Sequence, residues 1–373
     1  MIRRAAILML IAAFSLATTP SFACTGISLK AKDGAAIRGR TLEFGFPLQS
    51  NVLVVPAGKE FSGTLPGGGK GLTYKSRYGI VGANALGATA TIDVERSGLV
   101  DRSVLFPGLR PVRRREPGRR FACAHPQDFG MWVLGNFATV DEVKRALTDV
   151  VMVPTPFPGL GSTDGIAADV IFFIQDKTGK SIAVDLIGGK LKVTDVPLGV
   201  MTNAPTYDWH MTNLQNYINL SVKDVDSEKL GSVTLPAFGS GTGLSGMPGD
   251  FTPPSRFVRA AIYSQAAAPN ATADDAVLSV FHILNQFDIP KGSVVNSAIG
   301  EPTDEITEWT SVADLKNLRW YFRSYTDQSI RMVDLKEALA AAKGEVSVIE
   351  MEGTKEQIAN VSATVTSIKQ AAN

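Results

Sequence analysis

Residues 24–45 read CTGISLKAKDGAAIRGRTLEFG and hold a cysteine, an arginine and a glutamate within one short stretch. The alternation at residues 35–39 in its middle predicts an extended strand. In an extended chain, Arg40 and Glu43 lie on opposite faces because they are three positions apart. Both can therefore serve one site only if the strand ends or bulges there, which the glycines on either side permit.

The 23 residues before this stretch have the three parts of a secretory signal peptide. A pair of arginines comes first, an apolar run at residues 5–17 follows, and small residues at Ser21 and Ala23 suit signal peptidase. The apolar run is 13 residues long, whereas a membrane-spanning helix needs roughly 20. We therefore expect cleavage after Ala23, a periplasmic or secreted mature chain, and Cys24 as its first residue with a free α-amino group.

Cys24 has two other interpretations. Bacterial lipoproteins also begin with cysteine after a leader, but their leaders usually carry an aliphatic residue three positions before it and a small residue two positions before it. Here those positions hold Ser21 and the bulky Phe22, which favours ordinary cleavage. A buried hydrophobic cysteine, or a disulfide to Cys123, would leave the coincidence of cleavage site and cysteine unexplained.

An N-terminal cysteine carries a nucleophile and a base in one residue. Its α-amine, which titrates near about pH 8, can take the proton of the thiol and later give it to a leaving amine. Such a site needs no histidine, and the sequence lacks the GxSxG motif of many serine hydrolases. A cation that lowers the pKa of the thiol and a carboxylate that orients the amine should lie nearby. Arg40 and Glu43 are the candidates.

The composition favours small-molecule chemistry over nucleic-acid or membrane binding. Lys and Arg number 37 against 36 Asp and Glu, and the resulting net charge of +1 gives no field that would attract a polyanion. The three His and two Cys are too scattered for a zinc motif. We therefore expect that the protein binds no metal, cofactor or nucleic acid. We also expect that it is not an integral membrane protein.

The opening stretch resembles the start of the choloylglycine hydrolase family, the N-terminal-nucleophile amide hydrolases that include bile salt hydrolases and penicillin V acylases. The leader, and Glu43 where bile salt hydrolases usually have Asp, favour the Gram-negative branch. Later blocks resemble the family in the same order: YGIVGANALG (Tyr78–Gly87), MWVLGNFATVDEVKRAL (Met131–Leu147), GVMTNAPTYDWHMTNLQNY (Gly199–Tyr217) and GTGLSGMPGDFTPPSRFVRAAIY (Gly241–Tyr263).

The resemblance implies the roles of five catalytic residues. It makes Cys24 the nucleophile and places Arg40 beside the thiolate, with Glu43 in the position of the family's Asp. Asn203 matches the oxyanion-hole amide, a donor whose loss typically costs about 10²–10³ in rate, and Arg256 matches the arginine that supports the site. Without the resemblance, Asn203 would be interpreted as a turn residue and Arg256 as a solvated cation at a helix start.

Three further side chains are candidates for a role in binding or packing. Trp209 is the candidate substrate-binding residue. His210, its neighbour, either shapes the pocket with it or is a buried, hydrogen-bonded histidine. His282 lies beside Phe281 in an apolar helical pattern, which predicts a packed core histidine.

The resemblance implies an α+β fold, the four-layer αββα sandwich of Ntn hydrolases with two antiparallel sheets, in which Cys24 starts a strand at the core of the sheet pair. Residues 24–373 are expected to form one domain, because the sequence has no low-complexity linker and no repeat. The resemblance also implies a homotetramer.

Local patterns predict several elements after residue 130. Alternating segments separated by DKTGK and IGGK predict an antiparallel meander at residues 170–174, 181–186 and 190–193. Capping boxes at Thr139 and Thr272 predict two helix starts, the first for a helix at residues 143–151. An Ala-rich helix is predicted at residues 335–343, and a strand with a surface helix in the tail at residues 345–373.

Residues 93–126 depart from the family pattern. The family supplies a second oxyanion donor here through an Asn, whereas DVERSGL (93–99) has Glu95 at about that place. From residue 99 to 126 the segment holds seven of the 19 arginines of the chain and no lysine. Either it is a basic surface loop, or a local shift of the reading frame has replaced family sequence. In the second case the enzyme could be impaired, and Cys123 would have no role.

Together these features predict hydrolysis of the linear amide bond of N-acyl small molecules by the Cys24 thiolate. Conjugated bile salts are the first candidate substrates, and penicillin V or acyl-homoserine lactones are the alternatives. A rival of another class is a catalytically impaired periplasmic binding protein or lipoprotein that keeps the fold.

Overall fold

Two antiparallel sheets account for most of the strands in the computed structural model. It describes residues 24–64, 70–87, 91–96, 99–106, 122–124, 126–152, 169–187, 190–297, 301–353, 358 and 360–364. Its helices are α1 (Pro126–Asn136), α2 (Val140–Ala146), α3 (Tyr207–Leu214), α4 (Pro253–Ala266), α5 (Ala273–Leu284) and α6 (Leu335–Ala341).

The strands of the first half of the chain are β1 (Cys24–Lys30), β2 (Ala36–Phe44), β3 (Asn51–Val55), β4 (Glu60–Thr64), β5 (Lys70–Lys75), β6 (Ile80–Asn84), β7 (Thr91–Arg96), β8 (Leu99–Phe106), β9 (Ala122–Ala124), β10 (Val150–Met152), β11 (Asp169–Asp176) and β12 (Ser181–Ile187). Those of the second half are β13 (Lys190–Asp195), β14 (Glu228–Leu230), β15 (Val233–Leu235), β16 (Val295–Asn296), β17 (Thr303–Asp304), β18 (Ile306–Asp314), β19 (Arg319–Ser324), β20 (Arg331–Asp334) and β21 (Ser347–Glu350).

One sheet has five strands in the order β1-β2-β18-β19-β20, and the other has eight in the order β13-β12-β11-β8-β7-β6-β3-β21. Every pairing within these two sheets is antiparallel. Helices α4 and α5 pack on the five-stranded sheet, and α1 and α2 pack on the eight-stranded sheet. The order of layers is therefore helices, sheet, sheet, helices, which confirms the predicted αββα sandwich.

The hairpin of β1 and β2 forms because residues 31–35 suit a tight turn. The carboxylate of Asp33 accepts a hydrogen bond from the Ala35 N–H at 3.0 Å. Gly34 has a φ of 88°, in the left-handed region that favours glycine. The resulting register pairs Cys24 with Leu42. It thereby fixes which side chains of β2 share a face with the cysteine.

The two faces of β2 meet different layers. At Gly39, an added Cβ would lie 2.1 Å from Val280 Cγ1 of α5, so the helix can approach this closely only over glycine. On the opposite face, the Arg38 guanidinium stacks on the ring of Phe173 in β11, with 3.2 Å between its central carbon and the ring centroid. Odd-numbered residues of β2 thus face the helices, and even-numbered residues face the second sheet.

The predicted meander is confirmed, since β11, β12 and β13 pair in sequence. Thr139 and Thr272 form the predicted capping boxes at the starts of α2 and α5. The helix predicted at residues 143–151 begins earlier, at Val140, and gives way to a short 3₁₀ turn and then to β10. The expectation of a packed core histidine was wrong for His282, which is exposed. The buried residues of α5 recur every three or four positions, and His282 lies outside that stripe.

The segment at residues 93–126 contributes to the middle of the larger sheet. Its strands β7 and β8 pair with each other, and Glu95 lies in β7 at register with Val81 and Val100. The Arg-rich run at residues 107–121 lies outside the described residues. In the tail, the predicted strand is β21 and the last described turn is a 3₁₀ turn at Ser362–Thr364; residues 365–373 lie outside the description. Among the helices described, none has the length and apolar character needed to cross a membrane.

Candidate active site

Cys24 lies at the first position of β1, buried with 2% of its surface exposed. Its sulfur accepts a hydrogen bond from Arg40 Nη2 at 3.1 Å and another from the backbone N–H of Glu43. Cys24 pairs with Leu42, so its side chain shares the inner face of the hairpin with that of Arg40. The register of the hairpin therefore brings the predicted cation to the predicted nucleophile.

Glu43 reaches the site differently from the expectation. β2 continues without a bulge to Phe44, and the Glu43 side chain lies on the outer face, away from the Cys24 sulfur. The irregularity is in the partner strand β18, where the register shifts between Thr307 and Trp309. Glu43 thus offers its backbone N–H to the sulfur, while its carboxyl accepts a hydrogen bond from Thr307 Oγ1 at 3.2 Å on the other side of the sheet.

Asn203, and not a carboxylate, accepts from the backbone nitrogen of Cys24. A bridge between Gly26 and Met201, with N···O distances of 2.8 and 2.9 Å, holds residues 199–203 beside the open edge of β1. Asn203 Oδ1 then accepts from Cys24 N at 2.7 Å and from Arg256 Nη2 at 2.7 Å. Because both neighbours are donors, they fix the amide with its oxygen towards them and its Nδ2 at the other end.

Arg256 of α4 connects these parts, and it is fully buried. Its Nη1 donates to the carbonyl oxygen of Cys24 at 2.5 Å and to Thr25 Oγ1 at 2.9 Å. Its Nε donates to the carbonyl oxygen of Phe251 at 2.8 Å, just before the helix begins. The interpretation of Arg256 as a solvated cation at a helix start is therefore excluded.

His210 is a buried, hydrogen-bonded histidine. Its Nε2 donates to the Asn203 carbonyl oxygen at 2.9 Å, and its ring stacks on Phe257 with 4.6 Å between centroids. Burial lowers the pKa of His210 to about 4, so the ring is neutral at neutral pH. Trp209 is 44% exposed and contacts the His210 ring edge to face at 5.6 Å. Trp209 is thus joined to Asn203 through His210.

Burial outweighs the nearby positive charges and keeps the Cys24 thiol protonated at neutral pH. Burial raises the pKa of the Cys24 thiol, whereas Arg40, the Glu43 N–H and Arg256 act in the opposite direction. Burial also raises the pKa of Glu43 to about 8, against the charges of Arg256 and Arg40. At neutral pH the nucleophile therefore needs a base that takes its proton as it attacks.

Sequence reasoning missed Thr25 and Thr307. Thr25 follows the cysteine directly, and its position in the strand could have suggested that it lies on the opposite face from the sulfur. Thr307 gives no such signal, because its place opposite Glu43 depends on a bulge and on a sheet order that a single sequence does not reveal. In the described part of the chain, no group of three or more His, Cys, Asp or Glu residues is arranged to hold a metal ion.

Comparison with known proteins identifies relatives over most of the chain. Bile salt hydrolase/transferase of Clostridium perfringens is 33% identical over 319 residues, which are 84% of this chain and 93% of the relative. The enzyme of the same name from Bifidobacterium longum subsp. longum is 31% identical over 317 residues, 83% of this chain and 94% of the relative. Penicillin V acylase of Pectobacterium atrosepticum is 27% identical over 333 residues, 83% and 79% of the two chains.

Solved structures agree with the sandwich described above. A variant of conjugated bile acid hydrolase from Clostridium perfringens superposes with a TM-score of 0.78 at 29% identity and covers 91% of this chain and 100% of its own. Penicillin V acylase from Agrobacterium tumefaciens shares the fold with a TM-score of 0.68 at 22% identity, over 88% and 91% of the two chains. Residues 24–347 match the model of the linear amide C–N hydrolases, choloylglycine hydrolase family, and the chain belongs to that family.

Proposed function

We propose that this linear amide hydrolase cleaves conjugated bile salts with Cys24 as the nucleophile. The observation that carries the proposal is the position of Asn203, whose Oδ1 accepts a hydrogen bond from the backbone nitrogen of Cys24 and whose Nδ2 is an amide NH₂, a hydrogen-bond donor. One residue thereby connects the proposed base, the α-amine of Cys24, with the proposed oxyanion donor. Arg40 donates to the sulfur, and Arg256 holds both Cys24 and Asn203.

In the proposed reaction, the Cys24 thiol gives its proton to the α-amine as the sulfur attacks the acyl carbonyl carbon. Asn203 Nδ2 and backbone N–H groups hold the oxyanion that forms. The proton passes to the leaving amine as the C–N bond breaks, which leaves a thioester on Cys24. Water then attacks the thioester with the amine as base and releases the acid.

The choice of bile salts rests on the relatives named bile salt hydrolases, with up to 33% identity over more than four fifths of this chain. A penicillin V acylase is a relative at 27% identity, so penicillin V is the second candidate, and acyl-homoserine lactones are the third. All three pair an apolar acyl part with a polar amine. Trp209, partly exposed beside His210, is the proposed contact for the apolar part.

We predict that Cys24→Ser lowers hydrolysis of the preferred amide by at least about 10³-fold, because a hydroxyl is far harder to ionise than a thiol. Glycocholate, taurocholate, penicillin V and a long-chain acyl-homoserine lactone are assayed for release of the free amine. Cys123→Ser is the matched control and should keep wild-type activity. A wild-type chain that cleaves none of the four would favour the rival, a binding protein with this fold.

We predict that Asn203→Asp lowers kcat by about 10²–10³-fold and changes KM little. The carboxylate keeps an oxygen for the Cys24 nitrogen and Arg256 but removes the amide NH₂ proposed to hold the oxyanion. The exposed Asn216 of the same region provides the control Asn216→Asp. Equal kcat values for the wild type and Asn203→Asp would contradict the oxyanion role.

We also propose that the leader at residues 1–23 is removed on export to the periplasm, which frees the α-amine of Cys24. The intact mass of the mature chain from a Gram-negative host should equal that of residues 24–373 with an unmodified cysteine. A chain that retains the leader, or one with an acyl-glyceryl addition at Cys24, would overturn this proposal and support the lipoprotein alternative.

We further propose that the chain assembles with copies of itself, as a homotetramer, through the arm at residues 218–249. The arm carries the hairpin of β14 and β15, and soluble monomers rarely leave so much apolar surface uncovered. Its exposed apolar side chains, at 49% to 101% exposure, are Ile218, Val222, Val225, Leu230, Leu235, Val233 and Phe238.

Sedimentation should therefore show a tetramer for the wild type and a smaller species for the double variant Leu230→Lys and Val233→Lys. Leu278 on α5 is 54% exposed, so Leu278→Lys is a control with the same change outside the arm. A monomeric wild type, or an arm variant that still sediments as a tetramer, would contradict the assigned interface.

A further inference from the structure

The carboxyl of Glu43 is held by one hydroxyl from another strand. Thr307 Oγ1 lies 3.2 Å from Glu43 Oε1 and accepts a hydrogen bond from the backbone N–H of Ile289 at 2.9 Å. The backbone N–H of Thr307 in turn donates to the Ile289 carbonyl oxygen at 3.2 Å. The hydroxyl is thus anchored to the backbone, and its single proton is directed to the Glu43 carboxylate.

A bulge in β18 puts Thr307 in this place. Trp309 lies opposite Leu42, so an unbroken antiparallel register would put Glu308 opposite Glu43. The register instead skips Glu308, and Thr307 lies opposite Glu43. The extra residue therefore replaces a second carboxylate by a hydrogen-bond donor, as bulges beside active sites often redirect a side chain.

The charges around Glu43 connect it to the nucleophile. Burial raises the pKa of Glu43, whereas Arg256, the Thr41 side chain and Arg40 lower it, and the nearby Glu305 raises it. Asn296 Nδ2 donates to Glu305 Oε2 at 3.2 Å, which holds that carboxylate at the edge of the same cluster. Since the Glu43 carboxylate raises the pKa of the Cys24 thiol, anything that favours the Glu43 carboxylate also affects ionisation of the sulfur.

We propose that Thr307 is a positioning residue for the reaction at Cys24, which acts by donating its hydroxyl proton to the Glu43 carboxyl beside Arg256 and thereby favouring the ionised form of that carboxyl. The inference rests on the proposed role of Cys24 and adds to it a residue from the far end of the chain. The hydroxyl of Thr307 is hydrogen-bonded to Glu43 and Ile289 and not to the Cys24 sulfur. Its effect passes through Glu43 alone.

The test measures the rate of iodoacetamide alkylation of Cys24 against pH in the mature chain with Cys123→Ser, which leaves one thiol. Thr307→Val removes the hydroxyl at constant shape and should favour neutral Glu43 over a wider pH range. The midpoint of the alkylation curve should then move down by about 0.3–1 pH unit. Thr307→Ser, which keeps the hydroxyl, should leave the midpoint unchanged.

A double-mutant cycle separates this role from packing. In a Glu43→Gln background, adding Thr307→Val should produce no further shift, because the charge through which Thr307 acts is gone. Thr307→Ala also removes the hydroxyl and gives the same expected shift if the valine variant does not fold. The proposal is overturned if the alkylation midpoint stays at the parental value in both Thr307→Val and Thr307→Ala. It is also overturned if Thr307→Val still shifts the midpoint in the Glu43→Gln background. Alkylation needs no substrate, so this result stands apart from any outcome of the amide assays.

Discussion

The site depends on the buried guanidinium of Arg256. A cation without access to water is tolerated only where its N–H groups find acceptors, and Arg256 donates to four oxygens from three parts of the chain. Cys24 and Thr25 supply two of them from β1, Asn203 supplies the third from the segment beside it, and Phe251 supplies the last from the start of α4. Displacing any of these parts would leave a buried donor unpaired, so one charge fixes the nucleophile, the amide and the helix relative to one another.

Because side chains alternate between the two faces of β2, the ionisable groups of the site lie on both sides of the sheet. Arg40 lies on the inner face with the Cys24 sulfur, while Glu43 lies on the outer face towards Arg256. The sulfur therefore receives one cation directly and a backbone N–H from the residue whose carboxyl is on the far side. This arrangement places an acidic residue beside the buried arginines and keeps its carboxyl out of contact with the attacking sulfur.

Much of this architecture could be predicted from the sequence. Strand alternation at residues 35–39, turn glycines and capping boxes are local signals, and they predicted the strand that contains Arg38, the meander and two helix starts. The acceptor for the Cys24 nitrogen could not be derived in this way, because the bridge of Gly26 to Met201 joins residues 175 positions apart in the chain. Thr307 also escaped prediction, since its partner is set by a bulge. His282 was misassigned because the buried stripe of α5 runs through Val280, Phe281 and Leu284 and does not include position 282.

Because the pKa of the Cys24 thiol is raised, the thiol needs a base, and the proposed cleavage of the leader would supply one. Before cleavage, the nitrogen of Cys24 belongs to an amide and cannot accept a proton, whereas a free amine can. The hydrogen bond from this nitrogen to Asn203 Oδ1 requires only an N–H, which both forms possess. Cleavage would therefore supply the base without rearranging the site. Burial keeps the thiol protonated. A chain that retains its leader would therefore keep all the side chains around Cys24 in place and still lack the amine that takes the thiol proton.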